Sequence, residues 1–498
     1  MLKNHDAEFA DPLSRSAALP SATAAYPAEV AAMQRSGMQW TETSAGSRFL
    51  RTVADIIRLA RQFIRTQSVL LRNSGALLTG TGVTAAIGFV FWWIAAKYFS
   101  QEAVGVASAA ISMISFLALV GECGLGTLLV GETLRKPDDS AGLISAAIIA
   151  AVALSSALCL GYLAVARLYP PVFAFGGSLN PDLSGAVLFA GCAITGLTMV
   201  LDSAFVGLLR SLLQTWRTLL ASAFKLTLLL AAAYAGFAGS ANTIVLALIG
   251  GQAVSVLLIV AILAHDSQIW EPPNFRLLRG LGRNVVGHHL LNLAAQSPGL
   301  VMPVLVASIL SAEVNAAFYA AWMIFNVILL GPASLTTLLF TIGVVEPARI
   351  KQRLSFSLLI CALASPIAWG GLMLGADHLL SIFGPAYAAQ GGPVLKILGT
   401  AIFGVAIKFH YIAVQRLSNS MAPASLVLLA GAIVELAGAA FGARLGGLNG
   451  FVEGWVIAIY LQALVMVPGL VRFARRQGKQ ALRTQADLCS RHRFGGRR

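Results

Sequence analysis

The chain has 498 residues, of which 57% are hydrophobic and 11% charged, with a formal net charge of +14. So apolar a balance excludes a soluble domain, because the apolar runs are too long and too frequent for a water-exposed surface to cover. The positive charge does not point to nucleic acid either, because it is sorted along the chain rather than gathered into one patch.

Residues 1–47 are rich in Ala, Ser and Pro and read as a disordered tail, with nothing that reads as a cleavable signal. Residues 48–72 follow as RFLRTVADIIRLARQFIRTQSVLLR. Arg51, Arg58, Arg61 and Arg65 oppose Leu50, Val53, Ile57 and Ile64, the pattern of an amphipathic helix lying in a membrane interface. A solvated lead-in to the first span is the alternative.

Twelve apolar stretches then recur at 74–98, 104–131, 141–167, 184–209, 215–237, 242–264, 285–310, 314–341, 354–375, 392–414, 420–442 and 449–471. Crossing a hydrocarbon core of roughly 30 Å takes about 20 helical residues. Backbone amides in lipid must be satisfied within the segment, and the runs do not alternate as barrel strands do. The expected fold is an all-α polytopic membrane protein with 12 transmembrane helices. Lys97, Arg167 and Arg444 fall at the outer side, and Lys225, Lys396 and Lys408 within spans. The rest of the 35 Lys and Arg lie on the side of the N-terminus. That asymmetry predicts both termini in the cytoplasm of a plasma or inner membrane.

The break at 265–284 contains Glu271-Pro272-Pro273 and divides the helices into bundles of six, 74–264 and 285–471, followed by a basic tail at 472–498. Two halves with an even helix count share one orientation, so the repeat is parallel. Ser100, Glu102, Ala109, Ala110, Leu119 and Leu128 recur 211 residues later as Ser311, Glu313, Ala320, Ala321, Leu330 and Leu339. Both sets begin at a short outer S-x-E turn.

Ionisable residues inside spans are costly and face protein or water. Glu122, Asp202, Lys225, His288, His289, Lys408, His410 and Glu435 are such residues, while Lys396 sits near an outer helix end and can snorkel. Asp202 precedes Arg210 by eight residues, and Lys408 precedes Arg416 by eight, so each lies about 12 Å inside the membrane. They hold matching positions in the two halves. Asp202, Lys225 and Lys408 are candidates for a charged cavity between the bundles, or for structural pairing with neighbours. His288, Asn292 and Gln296 stand at i, i+4 and i+8 on one face, as a cavity lining or a packing seam. Pro298 and Pro303 beyond them should kink that helix. Cys123, Cys159, Cys192 and Cys361 lie in spans as small hydrophobes, and with Cys489 they show no metal-ligand spacing. No nucleophile with a base and no metal cluster is apparent. The chain reads as a non-enzyme without metal or cofactor.

Two motifs, A-A-K-Y-F-S-x-E-x-V-G at 95–105 and G-E-C-G-L-G-T at 121–127, sit in the stretch 75–132. They resemble the opening helices of Wzx-type polysaccharide and O-antigen flippases of the MOP (multidrug/oligosaccharidyl-lipid/polysaccharide) exporter superfamily. The resemblance, one of pattern over roughly 70–470, implies two six-helix bundles around a central cavity. It implies alternating access that moves a polyprenyl-diphosphate-linked oligosaccharide outward for lipopolysaccharide or exopolysaccharide biosynthesis. Lys225 and Lys408 would suit the diphosphate, with Asp202, His288, Asn292, Gln296, Glu122 and Glu435 also in the cavity. Lipid II flippases of the superfamily carry cavity arginines, and no deeply placed Arg is expected in these spans. Anionic lipids are the expected partners of the basic tails, and polysaccharide polymerisation enzymes are candidate partners. Two rivals stand beside this reading: a multidrug/cation antiporter, with Asp202, Glu122 or Glu435 as the exchanging acid, and a non-transporting subunit of a polysaccharide assembly complex.

Overall fold

The structure is a computed structural model that describes residues 68–135, 139–168, 184–237, 239–264, 271–279, 283–345, 350–418 and 420–494. The expected tail at 1–47 lies outside the described residues, as does the expected interfacial helix up to residue 67. Residues 73–498 form one compact unit, and every helix but the first lies wholly within it.

The first group of helices is α1 (Ser68–Tyr98), α2 (Gln101–Glu122), α3 (Leu125–Arg135), α4 (Ser140–Leu168), α5 (Gly185–Gly207), α6 (Ser211–Tyr234) and α7 (Ala241–Ile262). The short α8 (Phe275–Arg279) follows. The second group is α9 (Arg283–Ile309), α10 (Ala312–Val345), α11 (Ile350–Ser381), α12 (Pro385–Thr400), α13 (Ile402–Leu417) and α14 (Met421–Phe494). No strand occurs among the described residues.

Among the described residues nine helices are long and apolar enough to cross a membrane, or ten with α12 and α13 taken as one span bent by 50°. The expected count of twelve exceeds these for two reasons. In α1 the stretch whose side chains are described is Gly82–Tyr98, too short to be counted as a span by itself. In α14 the apolar stretch Met421–Gln477 runs 57 residues, about 85 Å if straight, far more than a bilayer can hold. It is not straight: Gly446 and Gly447 leave helical geometry, Gly447 at φ 58, and the chain folds back on itself. Gly442 then meets Gly450, and Gly438 meets Gly454, so closely that a Cβ on any of them would clash with the opposing backbone. Small residues are what let two helix backbones approach in lipid.

The second expected span is broken as well. α2 ends at Glu122, Cys123 takes a left-handed conformation (φ 48) and Gly124 follows at φ 80. Glu122 then caps α3. Its Oε1 accepts from the Gly126 amide at 2.5 Å and its Oε2 from the Gly124 amide at 3.3 Å, satisfying helix-start donors and the positive end of the dipole. The motif at 121–127 is therefore a helix break with a built-in carboxylate cap. α9, by contrast, continues through Pro298 and Pro303.

The two S-x-E turns are structural equivalents. Ser100 Oγ accepts from the Ala103 amide at 3.1 Å and Ser311 Oγ from the Val314 amide at 3.2 Å, each as the N-cap of an apolar helix with Glu in its first turn. Contacts between the two groups run chiefly from α2 to α9 and α10, with α3 also touching α9. The segment ahead of α8 is tied to the first group, where the Asn274 amide donates to Gly142 O of α4 at 3.0 Å.

Candidate substrate path and its charged residues

At the end of the molecule that carries the two turns, the groups are stitched together. Gln101 Nε2 donates to Glu313 O at 2.9 Å and to Gln390 Oε1 at 3.3 Å. Asn315, buried on α10, donates to Gly105 O at 2.8 Å and to Ser108 Oγ at 3.0 Å. Gly105 has no side chain because the Ala312 carbonyl occupies that space. Trp93 Nε1 donates to Ile382 O at 3.0 Å, and Trp92 packs on Tyr319 with ring centroids 4.7 Å apart. This end is closed by hydrogen bonds and aromatic packing.

Deeper in, the candidate charges separate into pairs. Asp202 on α5 takes a two-pronged contact from Arg217 on α6, Nε to Oδ1 and Nη2 to Oδ2 both at 2.5 Å. Arg217 is buried and Ser255 Oγ lies 3.4 Å from its Nη1. The absence of a deep arginine is thus corrected: Arg217, at the edge of the expected span 215–237, lies six residues inside α6, about 9 Å from its start. The fork of a guanidinium matches a carboxylate on both oxygens, and the pairing to Asp202 draws it in.

Lys408 on α13 lies 2.6 Å from Glu435 Oε1 on α14, and Trp455 Nε1 donates to the other oxygen at 3.0 Å. Lys408 is 5% exposed and Glu435 1%. The expectation of Lys408 as an open cavity cation does not hold in this arrangement, because protein encloses the ammonium and a carboxylate neutralises it. Lys396, near the outer helix end, pairs with the exposed Asp377 at 2.6 Å. His410 is wholly buried, with Nδ1 at 2.7 Å from Ala406 O and Nε2 at 2.8 Å from Ser357 Oγ. Nδ1–H donating to the carbonyl and Nε2 accepting from the hydroxyl satisfy both nitrogens as a neutral ring.

Lys225 differs. It lies half-buried on α6, with Nζ 5.5 Å from the centroid of the Phe91 ring on α1. Gly251 of α7 backs onto it, leaving α6 and α7 in close contact. Among the described residues Lys225 has no carboxylate partner. A ring face offsets only part of the cost of holding an ammonium away from water.

At the opposite end of α2, His289 Nδ1 lies 3.6 Å from Glu122 Oε2, linking α9 to the α2–α3 break. His288 and Asn292 are half-buried and Gln296 is exposed. Arg416 Nη2 donates to Asn292 Oδ1 at 2.8 Å, which ties the polar stripe of α9 to α13. Of the eight expected cavity residues, the structure brings Lys408 together with Glu435 and puts Asp202, Lys225 and Glu122 each against a different neighbour. Sequence reasoning does not single out Arg217, Arg416 or Trp455, because the two arginines fall at span edges and the tryptophan reads as ordinary apolar lining. No group of three possible metal ligands occurs among the described residues.

A family model described as polysaccharide biosynthesis protein matches residues 70–340, just over half of the chain. The chain belongs to that family. As a polysaccharide biosynthesis family member it shares its fold with solved MATE transporters of the MOP superfamily. One, a multidrug resistance transporter in an inward-facing conformation, has a TM-score of 0.63 at 14% identity, covering 80% of this chain and 95% of that one. A MATE in the bent conformation gives 0.57 at 14%, covering 82% and 96%. A MOP superfamily transporter from Pyrococcus furiosus, described as having a binding pocket of reversed polarity, gives 0.56 at 15%, covering 82% and 96%. No curated protein sequence matches. The family member is therefore a multi-pass membrane protein with a transporter fold.

Proposed function

We propose that the chain is a flippase that carries a polyprenyl-diphosphate-linked oligosaccharide from the inner to the outer leaflet of the plasma membrane, for lipopolysaccharide, O-antigen or exopolysaccharide assembly. The observation that carries this reading is Lys225, an intramembrane cation without a carboxylate partner among the described residues. A positive charge in low dielectric attracts an anion far more strongly than it would in water, so a diphosphate would supply the missing counter-charge. With both termini cytoplasmic, the stitched end around Gln101 and Asn315 faces outward, and transport requires it to open.

The cation-antiporter alternative has less support. Asp202 is held by Arg217, Glu435 by Lys408, and Glu122 by the Gly124 and Gly126 amides. Each of the three acids that reading would use already has a partner. The test is complementation of surface-glycan export. Lys225→Gln should abolish export at normal abundance, and Lys225→Arg should retain part of it because charge is kept while donor geometry changes. Full export by Lys225→Gln would remove the reading's main support.

A further inference from the structure

The basic end holds a pocket of about 330 Å³ between the end of α13 and the second arm of α14. Arg472 and Arg476 stand one turn apart on that arm and so share a face. Gln415, Ser418 and Ser420 line the opposite wall, and Gly469 opens the floor. A Cβ at Gly469 would come within 2.9 Å of Tyr411, so the bare glycine lets this arm pack closely against α13 beside the pocket. Neither arginine forms an ion pair among the described residues. Directly before them the same arm exposes Leu464, Val465 and Val471, an apolar surface suited to lipid. The pocket therefore sits where the membrane-facing part of the arm ends, with two unneutralised guanidiniums, two hydroxyls and an amide.

We propose that this pocket binds the phosphodiester headgroup of an anionic membrane lipid. Guanidinium forks match phosphate oxygens, the Gln415 amide can donate to a remaining oxygen, the Ser418 and Ser420 hydroxyls, which already donate to the Val414 and Ser418 carbonyls, can accept from a headgroup alcohol, and Val414 and Phe473 suit the glycerol and upper chain. Arg475 lies on the same arm and does not line the pocket, which provides a matched control. The proposal stands apart from the identity of the transported substrate.

The full-length protein, stripped of lipid and monodisperse in neutral detergent, is titrated with dioctanoyl phosphatidylglycerol. Saturable binding is expected. Arg472→Gln and Arg476→Gln should each weaken it roughly tenfold, the scale of one charge-assisted hydrogen bond. Arg475→Gln should change it less than twofold, and Arg472→Lys should bind between wild type and Arg472→Gln. Dioctanoyl phosphatidylcholine should bind more weakly, and free glycerol phosphate should not displace the lipid at equal concentration. Equal losses at Arg475 and Arg472 would show diffuse charge attraction and overturn the site. Displacement by glycerol phosphate at equal concentration would assign the pocket to a soluble phosphate and overturn the lipid assignment.

Discussion

Glu435 holds Lys408 at 2.6 Å from one carboxylate oxygen while Trp455 holds the other, and both members of the pair are buried. The two residues are 27 positions apart on helices that the sequence alone does not pair. A lysine that looks like a substrate cation in sequence is, in the fold, half of a neutral structural unit.

Lys408→Met would leave the Glu435 carboxylate buried without a counter-charge. Removing one member of such a pair costs about 3–5 kcal/mol, so melting temperature and membrane abundance should both fall. Glu435→Gln should do the same. The double variant Lys408→Met/Glu435→Leu should regain most of the loss, since a packed apolar pair of similar volume is often neutral. Unchanged melting in both single variants would contradict the pairing.

The Asp202–Arg217 pair makes a parallel prediction in the first helix group. Asp202→Asn and Arg217→Gln should each lower the yield of folded protein, as each strands a charge within the bundle. Exchange of the two residues, Asp202→Arg with Arg217→Asp, should recover more protein than either single variant does. Fluorescence-detected size-exclusion profiles report it, and an exchange no better than the singles would argue against a direct pair.

The fold class was legible because lipid imposes internal backbone hydrogen bonding, which long apolar runs satisfy only as helices. The Ser100 and Ser311 turns were legible for a local reason, since an N-cap serine followed by Glu marks a helix start wherever it occurs. The α2 break was written in Gly121, Gly124 and Gly126 but was hidden by continuous hydrophobicity. Pairing was not legible. Arg217 falls at the very edge of the span 215–237 in sequence, and only the fold shows that the helix starts earlier, at Ser211, and that Asp202 holds the guanidinium. Which embedded charge meets a counter-ion depends on helix neighbours, so Lys225 and Lys408 look alike in sequence and differ among the described residues of the fold.

The stitched end must part if access alternates. Cysteines replacing Gln101 and Gln390, whose side chains touch at 3.3 Å, should cross-link readily in a background without the native cysteines. Cross-linking should stop transport, and a reductant should restore it. Complete cross-linking with undiminished transport would mean that this contact does not open.

Both termini are expected on the cytoplasmic side. A reporter active only outside the cytoplasm should be active when fused after Asp377 and silent when fused after Arg498. The reverse pattern would invert the molecule and put the Arg472–Arg476 pocket outside.

The central claim is that Lys225, an intramembrane cation without a carboxylate partner among the described residues, serves an anionic lipid-linked glycan. Its most direct test is leaflet accessibility in proteoliposomes of a fluorescent polyprenyl-diphosphate oligosaccharide, read by a membrane-impermeant quencher or glycosidase. The wild-type protein should equilibrate the lipid between leaflets, and Lys225→Gln, reconstituted at equal density, should leave it on one side. Flipping at the wild-type rate by Lys225→Gln, or uptake of an organic cation with no movement of the glycan lipid, would contradict the account.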